Sequence, residues 1–235
     1  MSGIVSGEPH RFPLHGTLRP RNTALLVIDM QHDFLSEGGY MDRLGADLSG
    51  LQEAIEPLRS VLQGARAWGC RIVHTREGYA PDLSDLQPWK VGGSPGDAIA
   101  IGDKGPRGRA LIRGEPGFEI VPELTPAPGE PVFDKPSYGA FATTELERDL
   151  RVNGITHLVL TGVTTDCCVT STLREALDRG FECLVLTDCV GCATRSHHEA
   201  ALALMRKPSG VFGTTANSRS FLEALNQSPA IEGAA

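Results

Sequence analysis

The 235-residue chain predicts an α/β fold: a doubly wound, mainly parallel six-stranded sheet with helices on both faces. Three features lead there. Short β-rich apolar runs alternate with helical patterns along the chain, the rhythm of successive βαβ units. The runs are continuously apolar rather than alternating, as expected of strands covered on both faces. No compositional break or internal repeat divides the chain, so one domain is expected over 21–228 after an extension over 1–20.

The expected strands are Thr23–Asp29, Arg71–Thr75, Pro131–Lys135, His157–Thr161 and Glu182–Asp188, with a short sixth at Gly210–Gly213. Leu58, Val61, Leu62, Ala65 and Trp68 recur at helical spacing, with Pro57 suited to a first turn and Gly69 to a stop. Thr144 and Glu147 have the spacing of a capping box, opening a helix that ends near Asn153-Gly154. Further helices are expected from Cys168 to Arg179, His197 to Arg206 and Ser218 to Leu225. Segment 78–117 is rich in Gly, Pro and charge and has no sustained period. So long an irregular connection implies a functional lid or an oligomer contact.

Composition narrows the function. Lys+Arg number 22 against 29 Asp+Glu, a net charge of −7, which disfavours a nucleic-acid partner. No apolar stretch approaches the roughly 20 residues of a membrane span. The first 20 residues lack the apolar core of a secretory signal, so a cytoplasmic protein is expected. Its 6 cysteines then read as reduced thiols. Cys189-x-x-Cys192 is a lone pair without a second ligand pair and argues weakly for metal or redox use.

In open α/β sheets ligands bind at the carboxyl ends of the strands. Asp29, Lys135 and Cys168 all fall there. A cysteine opening a helix has its thiolate favoured by the helix dipole; an ammonium adds to that, and a carboxylate takes the proton. Taken singly, these residues are ordinary packing, capping and surface positions; the shared location links them. Two other patterns lead nowhere. Gly92-Gly-Ser94-Pro-Gly96 matches a serine-hydrolase elbow but lies in the irregular segment. Gly102, Gly105 and Gly108 fit no nucleotide-binding loop, so no nucleotide cofactor is expected.

Three ordered stretches carry a family resemblance. Ala24–Phe34 (ALLVIDMQHDF), Asp134–Phe141 (DKPSYGAF) and Gly162–Val169 (GVTTDCCV) resemble the signatures of the isochorismatase-like cysteine hydrolases. That resemblance implies a catalytic triad of Asp29, Lys135 and Cys168. It also implies a non-proline cis peptide at Val163-Thr164 and an oxyanion hole from the backbone N–H groups of Thr164 and Cys168. Asp29 would take the thiol proton, Lys135 would favour the thiolate, and Cys168 would attack an amide or ureido carbonyl to give a thioester. The metal-binding pattern of nicotinamidases is missing after the second strand, so no metal and no cofactor are expected.

The stretches Arg76-Glu77-Gly78, Arg113–Gly117 and Gly210–Gly213 are similar to the ureide-cleaving branch, above all biuret hydrolases. Tyr138 and Pro208 depart from that branch, where a lysine and a glutamine stand. The expected substrate is a biuret-like compound, a ureido acid or an N-carbamoyl compound, contacted by Gln31, Phe34, Arg76, Glu77, Tyr138, Phe141 and Phe212. Alternatives are a larger amide or lactam, a catalytically idle scaffold, or a thiol protein using Cys167, Cys168, Cys189 and Cys192. The resemblance also implies a homodimer or homotetramer.

Overall fold

The computed structural model describes residues 3–227. Six parallel strands form one sheet: β1 (Thr23–Ile28), β2 (Arg71–Glu77), β3 (Val132–Lys135), β4 (His157–Val163), β5 (Glu182–Gly191) and β6 (Thr214–Ala216), in the order β3-β2-β1-β4-β5-β6. The order reverses between β1 and β4, where doubly wound sheets open a crevice. Among the described residues, five helices of seven or more residues cover the sheet: α1 (Ile55–Trp68), α2 (Leu146–Val152), α3 (Thr170–Asp178), α4 (Arg195–Met205) and α5 (Ser218–Asn226).

Alternate side chains of each strand enter two apolar layers. Leu25, Val27, Val159 and Leu184 pack with Leu58, Val61, Leu62 and Trp68 of α1 and Phe221 and Leu225 of α5. Ala24, Leu26, Ile28, Leu158 and Val185 pack with Leu150 of α2, Leu173 of α3 and Leu202 of α4. Burial on both faces is why the strands read as continuous apolar runs. Gly69 ends α1 at φ 82°, its N–H bonded to the Ala65 and Arg66 carbonyls. The segment before β1 folds back on itself, and Glu8 pairs with Thr215 across the outer edge of β6 (2.8 and 2.7 Å).

Three local expectations are corrected. The sixth strand is Thr214–Ala216, because Gly210–Gly213 forms the tight turn ahead of it, with Gly213 N–H bonded to the Gly210 carbonyl. The Thr144/Glu147 capping box does not form; Thr144 Oγ1 accepts from Leu146 N–H, while Glu147 pairs with Arg151 and Arg179. Cys168 lies in a π-helical turn, Thr165–Val169, and α3 begins after it.

Segment 78–117 carries its own framework. A minimal hairpin pairs Lys104–Gly105 with Gly108–Arg109, and Tyr79 N–H bonds the Leu111 carbonyl at 2.9 Å. Arg113 pairs with Asp85 (2.5 Å), and buried Asp33 accepts from Leu111 N–H (2.8 Å).

Candidate active site

Four neighbouring strands each deliver one polar group to the same point. Lys135 ends β3, Glu77 ends β2, Asp29 follows β1, and Cys168 sits one turn beyond β4. Glu77 and Lys135 are register partners, as are Arg76 and Asp134 one residue earlier. Because successive strand residues face opposite sides, the first pair enters the site and the second does not. Asp29 takes a φ of 53° as the chain leaves β1. Gly162, at φ 107°, leaves room there: a Cβ would collide with the Ile28 carbonyl. The Val163-Thr164 peptide is cis, as the resemblance implies.

Asp29 and Lys135 are wholly buried, and Glu77 and Cys168 nearly so. Lys135 Nζ donates to the Ser137 and Tyr138 carbonyls (2.8 and 2.9 Å). It also makes ionic contacts with Asp29 Oδ2 at 2.7 Å and Glu77 Oε2 at 3.7 Å. Asp29 Oδ1 accepts from Thr75 Oγ1 (2.6 Å). The Cys168 thiol donates to Glu77 Oε2 at 3.1 Å, and not to Asp29.

Burial works against the Lys135 charge, but Asp29, Cys168 and Glu77 carry its pKa well above the ordinary lysine range. Burial pushes the Glu77 carboxyl up, with Asp29 adding to the effect against the pull of Lys135. The Cys168 thiol is also pushed up, first by its hydrogen bond with Cys167 and then by burial, despite Lys135. Lys135 favours the thiolate, but the hydrogen bond with Cys167, burial and the Glu77 and Asp29 carboxylates act against it.

A ligand atom each of Asp29, Glu77 and Cys168 lies within 4.8 Å of the others, a spacing that would suit a metal. The Lys135 ammonium touches both carboxylates. It fills the cationic position of that cluster, so the donor set does not fit a metal ion.

Above these groups lies a cavity of about 310 Å³. Phe34, Tyr138, Glu77, Thr164 and Cys168 are in its wall, as the sequence reading expects. Four expected contacts are not. Gln31 spends its carboxamide on backbone, donating to the Glu77 and Phe118 carbonyls (3.0 Å each) and accepting from Glu77 N–H (2.7 Å). Arg76 is turned to the other face, paired with Asp134 and Glu119 and set over the Phe118 ring. Phe141 packs on Phe181 in the core, with ring centroids 5.8 Å apart. Phe212 lies beneath the Arg174 guanidinium, 3.5 Å from its ring centroid and outside the cavity.

The sequence reading missed Tyr40, Met41 and a group from segment 78–117: Trp89, Lys90, Ser94, Asp97 and Ile101. Lys90 is only 6 % exposed. Its Nζ donates to Tyr79 Oη at 2.6 Å and lies 4.0 Å from the Tyr138 ring centroid. Tyr79 in turn donates to Glu77 Oε1 (3.4 Å). A larger cavity, about 660 Å³, opens between segment 47–57 and α4 on the other side of Cys192 and Ala193; none of the four polar groups faces it.

The family description "Isochorismatase domain" matches residues 23–217. The chain belongs to the isochorismatase family. Ureidoacrylate amidohydrolase RutB of Methylobacterium radiotolerans is 34% identical over 217 residues, covering 91% of this chain and 84% of that protein. RutB of Cronobacter sakazakii is 34% identical over 219 residues, covering 89% and 91%. Among solved structures, a cysteine hydrolase from Pseudomonas syringae shares the fold at a TM-score of 0.75, with 21% identity over 89% of this chain and 95% of that one. N-carbamoylsarcosine amidase from Thermoplasma acidophilum matches at a TM-score of 0.63, with 26% identity over 84% and 96%. This isochorismatase-family chain is a hydrolase of C–N bonds other than peptide bonds.

Proposed function

We propose that the protein is a cysteine-dependent amidohydrolase cleaving a C–N bond of a small linear amide or ureide through a thioester on Cys168. The observation that carries this reading is the meeting of four groups: Cys168 and Glu77 in the wall of one cavity, with Lys135 against Glu77 and Asp29 against Lys135 behind them. A lone buried cysteine is ordinary packing; a buried thiol hydrogen-bonded to a carboxylate that itself faces a buried ammonium has the parts of an activated nucleophile.

In this reading Cys168 adds to the carbonyl, and the N–H groups of Thr164 and Cys168 hold the oxyanion. Loss of such a donor typically costs about 3–4 kcal/mol of transition-state stabilisation. The amine or ammonia leaves, and water hydrolyses the thioester. Lys135 keeps the buried negative charge tolerable at each stage. Tyr138 and Phe34 form the wall against which the substrate lies. A cavity of about 310 Å³ is at the small end of ligand sites. This favours a biuret-like compound, a ureido acid or an N-carbamoyl compound over a lactam drug. The relatives named for ureidoacrylate and N-carbamoylsarcosine point to the same chemistry.

The test is ammonia release from biuret, ureidoacrylate, N-carbamoyl amino acids and simple primary amides, with Cys168→Ala as control. Intact-mass detection of an acyl adduct on Cys168 accompanies it. Turnover of a ureide that vanishes in Cys168→Ala is the expected result. Turnover that survives the substitution, or silence across the whole panel, overturns the reading.

A further inference from the structure

Among the described residues, Lys90 is the one basic side chain in the wall of the cavity above Cys168. It belongs to segment 78–117 and is 6 % exposed. Its ammonium stands among aromatic rings: Nζ is 4.0 Å from the Tyr138 ring centroid, 5.2 Å from that of Tyr79 and 5.4 Å from that of Trp89. It donates to Tyr79 Oη at 2.6 Å and, among the described residues, makes no ion pair. An ammonium has three donors, and a buried charge is costly unless it is both paired and hydrogen-bonded. Three ring faces offset part of that cost but accept no further proton in the way a carboxylate does.

The acids of the same wall do not complete it. Glu77 is turned to Lys135 and Cys168 and reaches Lys90 only through Tyr79. Asp97 accepts from Ser94 N–H at 2.7 Å, and Asp166 faces His197 Nδ1 at 3.4 Å. Each carboxylate of the wall has a donor of its own, while the cation has no carboxylate. We propose that Lys90 is a specificity-determining residue: it binds a carboxylate of the substrate, so that the protein selects ureido and N-carbamoyl acids over neutral ureides such as biuret. This rests on the cysteine amidohydrolase reading above.

In this arrangement the reacting carbonyl lies against Cys168 and the acid end of the substrate lies at Lys90, with Phe34 and Met41 as apolar wall for the carbon chain between them. Trp89 and Tyr138 border both the cavity and the ammonium. The carboxylate–ammonium pair therefore forms beside ring faces, where salt and water screen it less than at an open surface. Burial lowers the Lys90 pKa, and Glu77, Cys167 and Cys168 oppose that fall; a bound carboxylate opposes it further. A neutral ureide can fill the same space but leaves the buried ammonium without a counter-charge, and a site built around a polar partner discriminates strongly against a ligand that lacks it. Lys90 makes no contact with Cys168 and takes no part in bond making, so its effect belongs to binding.

The experiment measures kcat and KM of wild type, Lys90→Met and Lys90→Arg on ureidoacrylate, N-carbamoylglycine and N-carbamoyl-β-alanine, and on the neutral ureides biuret and butylurea. Wild type should favour an acid over the neutral ureides by about 10- to 100-fold in kcat/KM, the range of a hydrogen bond to a charged group. Lys90→Met should erase that preference through KM, leaving the neutral ureides unchanged, and Lys90→Arg should restore part of it. Lys90→Gln repeats the comparison if Lys90→Met does not fold. Calorimetry of the three acids with Cys168→Ala, alone and combined with Lys90→Met, makes the same comparison without turnover. Equal use of acids and neutral ureides by wild type, a preference that survives Lys90→Met, or a loss shared by both kinds of substrate overturns the inference and leaves the amidohydrolase reading intact. If wild type hydrolyses no ureide, that reading falls and calorimetry decides the inference. Acid binding that is lost with Lys90→Met sustains it, and no binding, or equal binding in the two proteins, overturns it.

Discussion

Cys168 and Glu77 meet across the end of a strand that carries neither. Glu77 closes β2, Cys168 follows β4, and β1 lies between them with Asp29 at its tip. Their 3.1 Å hydrogen bond therefore exists only if three strands stop at the same level. The sheet register achieves this by placing Ile28 opposite Thr75 on one side and Gly162 on the other. A nucleophile assembled from three strand ends is rigid by construction, which is what orientation at a reacting carbonyl requires.

Cys167 restrains its neighbour. Its hydrogen bond to Cys168 is the largest cause that raises the nucleophile's pKa. Cys167→Ala should therefore lower that pKa, and a lower pKa means more thiolate at neutral pH. We expect iodoacetamide to alkylate Cys168 severalfold faster at pH 7, because more of the sulfur is then thiolate. The alkylation profile should move to lower pH. An unchanged or slower rate, read by peptide mass, would show that Cys167 does not hold the thiol in its protonated form.

Glu77 should cost stability where it is ionised. Burial raises its folded pKa above the ordinary 4.5, so the folded state binds the proton more tightly than the unfolded chain. Its contribution is therefore most favourable below pH 4.5 and is lost as pH rises through the folded value. Glu77→Gln, fixed in the neutral form, should melt above wild type at pH 7, each kcal/mol of relief raising Tm by about 2–4 °C in a domain of this size. The difference should shrink as pH approaches 4.5 from above. Melting curves across pH 4–8 decide it; a destabilised variant at pH 7 would contradict the sign.

The sheet was legible because burial on both faces leaves an unbroken apolar record, as in Thr23–Ile28 and His157–Val163, and because Gly69 marks the end of α1. Asp29, Lys135 and Cys168 were legible because strand ends converge by topology alone. What failed was the direction and occupation of side chains. Gln31, Arg76, Phe141 and Phe212 lie near pocket residues in sequence, yet their partners are the Glu77 backbone, Asp134, Phe181 and Arg174. The period of 2 along β2 could have shown that Arg76 and Glu77 face opposite ways. Lys90 and Trp89 left no such trace: they sit in an irregular segment whose path depends on distant contacts such as Asp33 to Leu111.

Gln31 behaves as a strut. Its carboxamide satisfies Glu77 N–H and two carbonyls in a fully buried position. Gln31→Ala leaves those backbone groups without partners, and each buried unsatisfied polar group costs about 1–3 kcal/mol. We expect a loss of at least about 2 kcal/mol in urea unfolding. The fall in turnover should appear in kcat rather than KM, because the residue holds Glu77 and does not touch substrate. A KM-only effect with unchanged stability would return Gln31 to the pocket wall.

Segment 78–117 forms part of the cavity wall, and a tryptophan reports on it. Trp89 is exposed and lines the cavity, whereas the other tryptophan, Trp68, is buried at the end of α1 and is not in the cavity wall. A ureido acid such as N-carbamoyl-β-alanine, titrated into Cys168→Ala, should change Trp89 emission as it displaces water from the indole. Trp68 supplies a constant background. In Trp89→Phe the change should disappear while calorimetry still detects binding. A signal that persists without Trp89 would place the ligand's effect elsewhere. A silent Trp89 in a protein shown by calorimetry to be saturated would mean that ligand reaches Cys168 without touching the segment. Trp89 adjoins Lys90, whose ammonium is hydrogen-bonded through Tyr79 to Glu77. Any ligand that moves Trp89 therefore also acts on the chain of hydrogen bonds ending at Glu77.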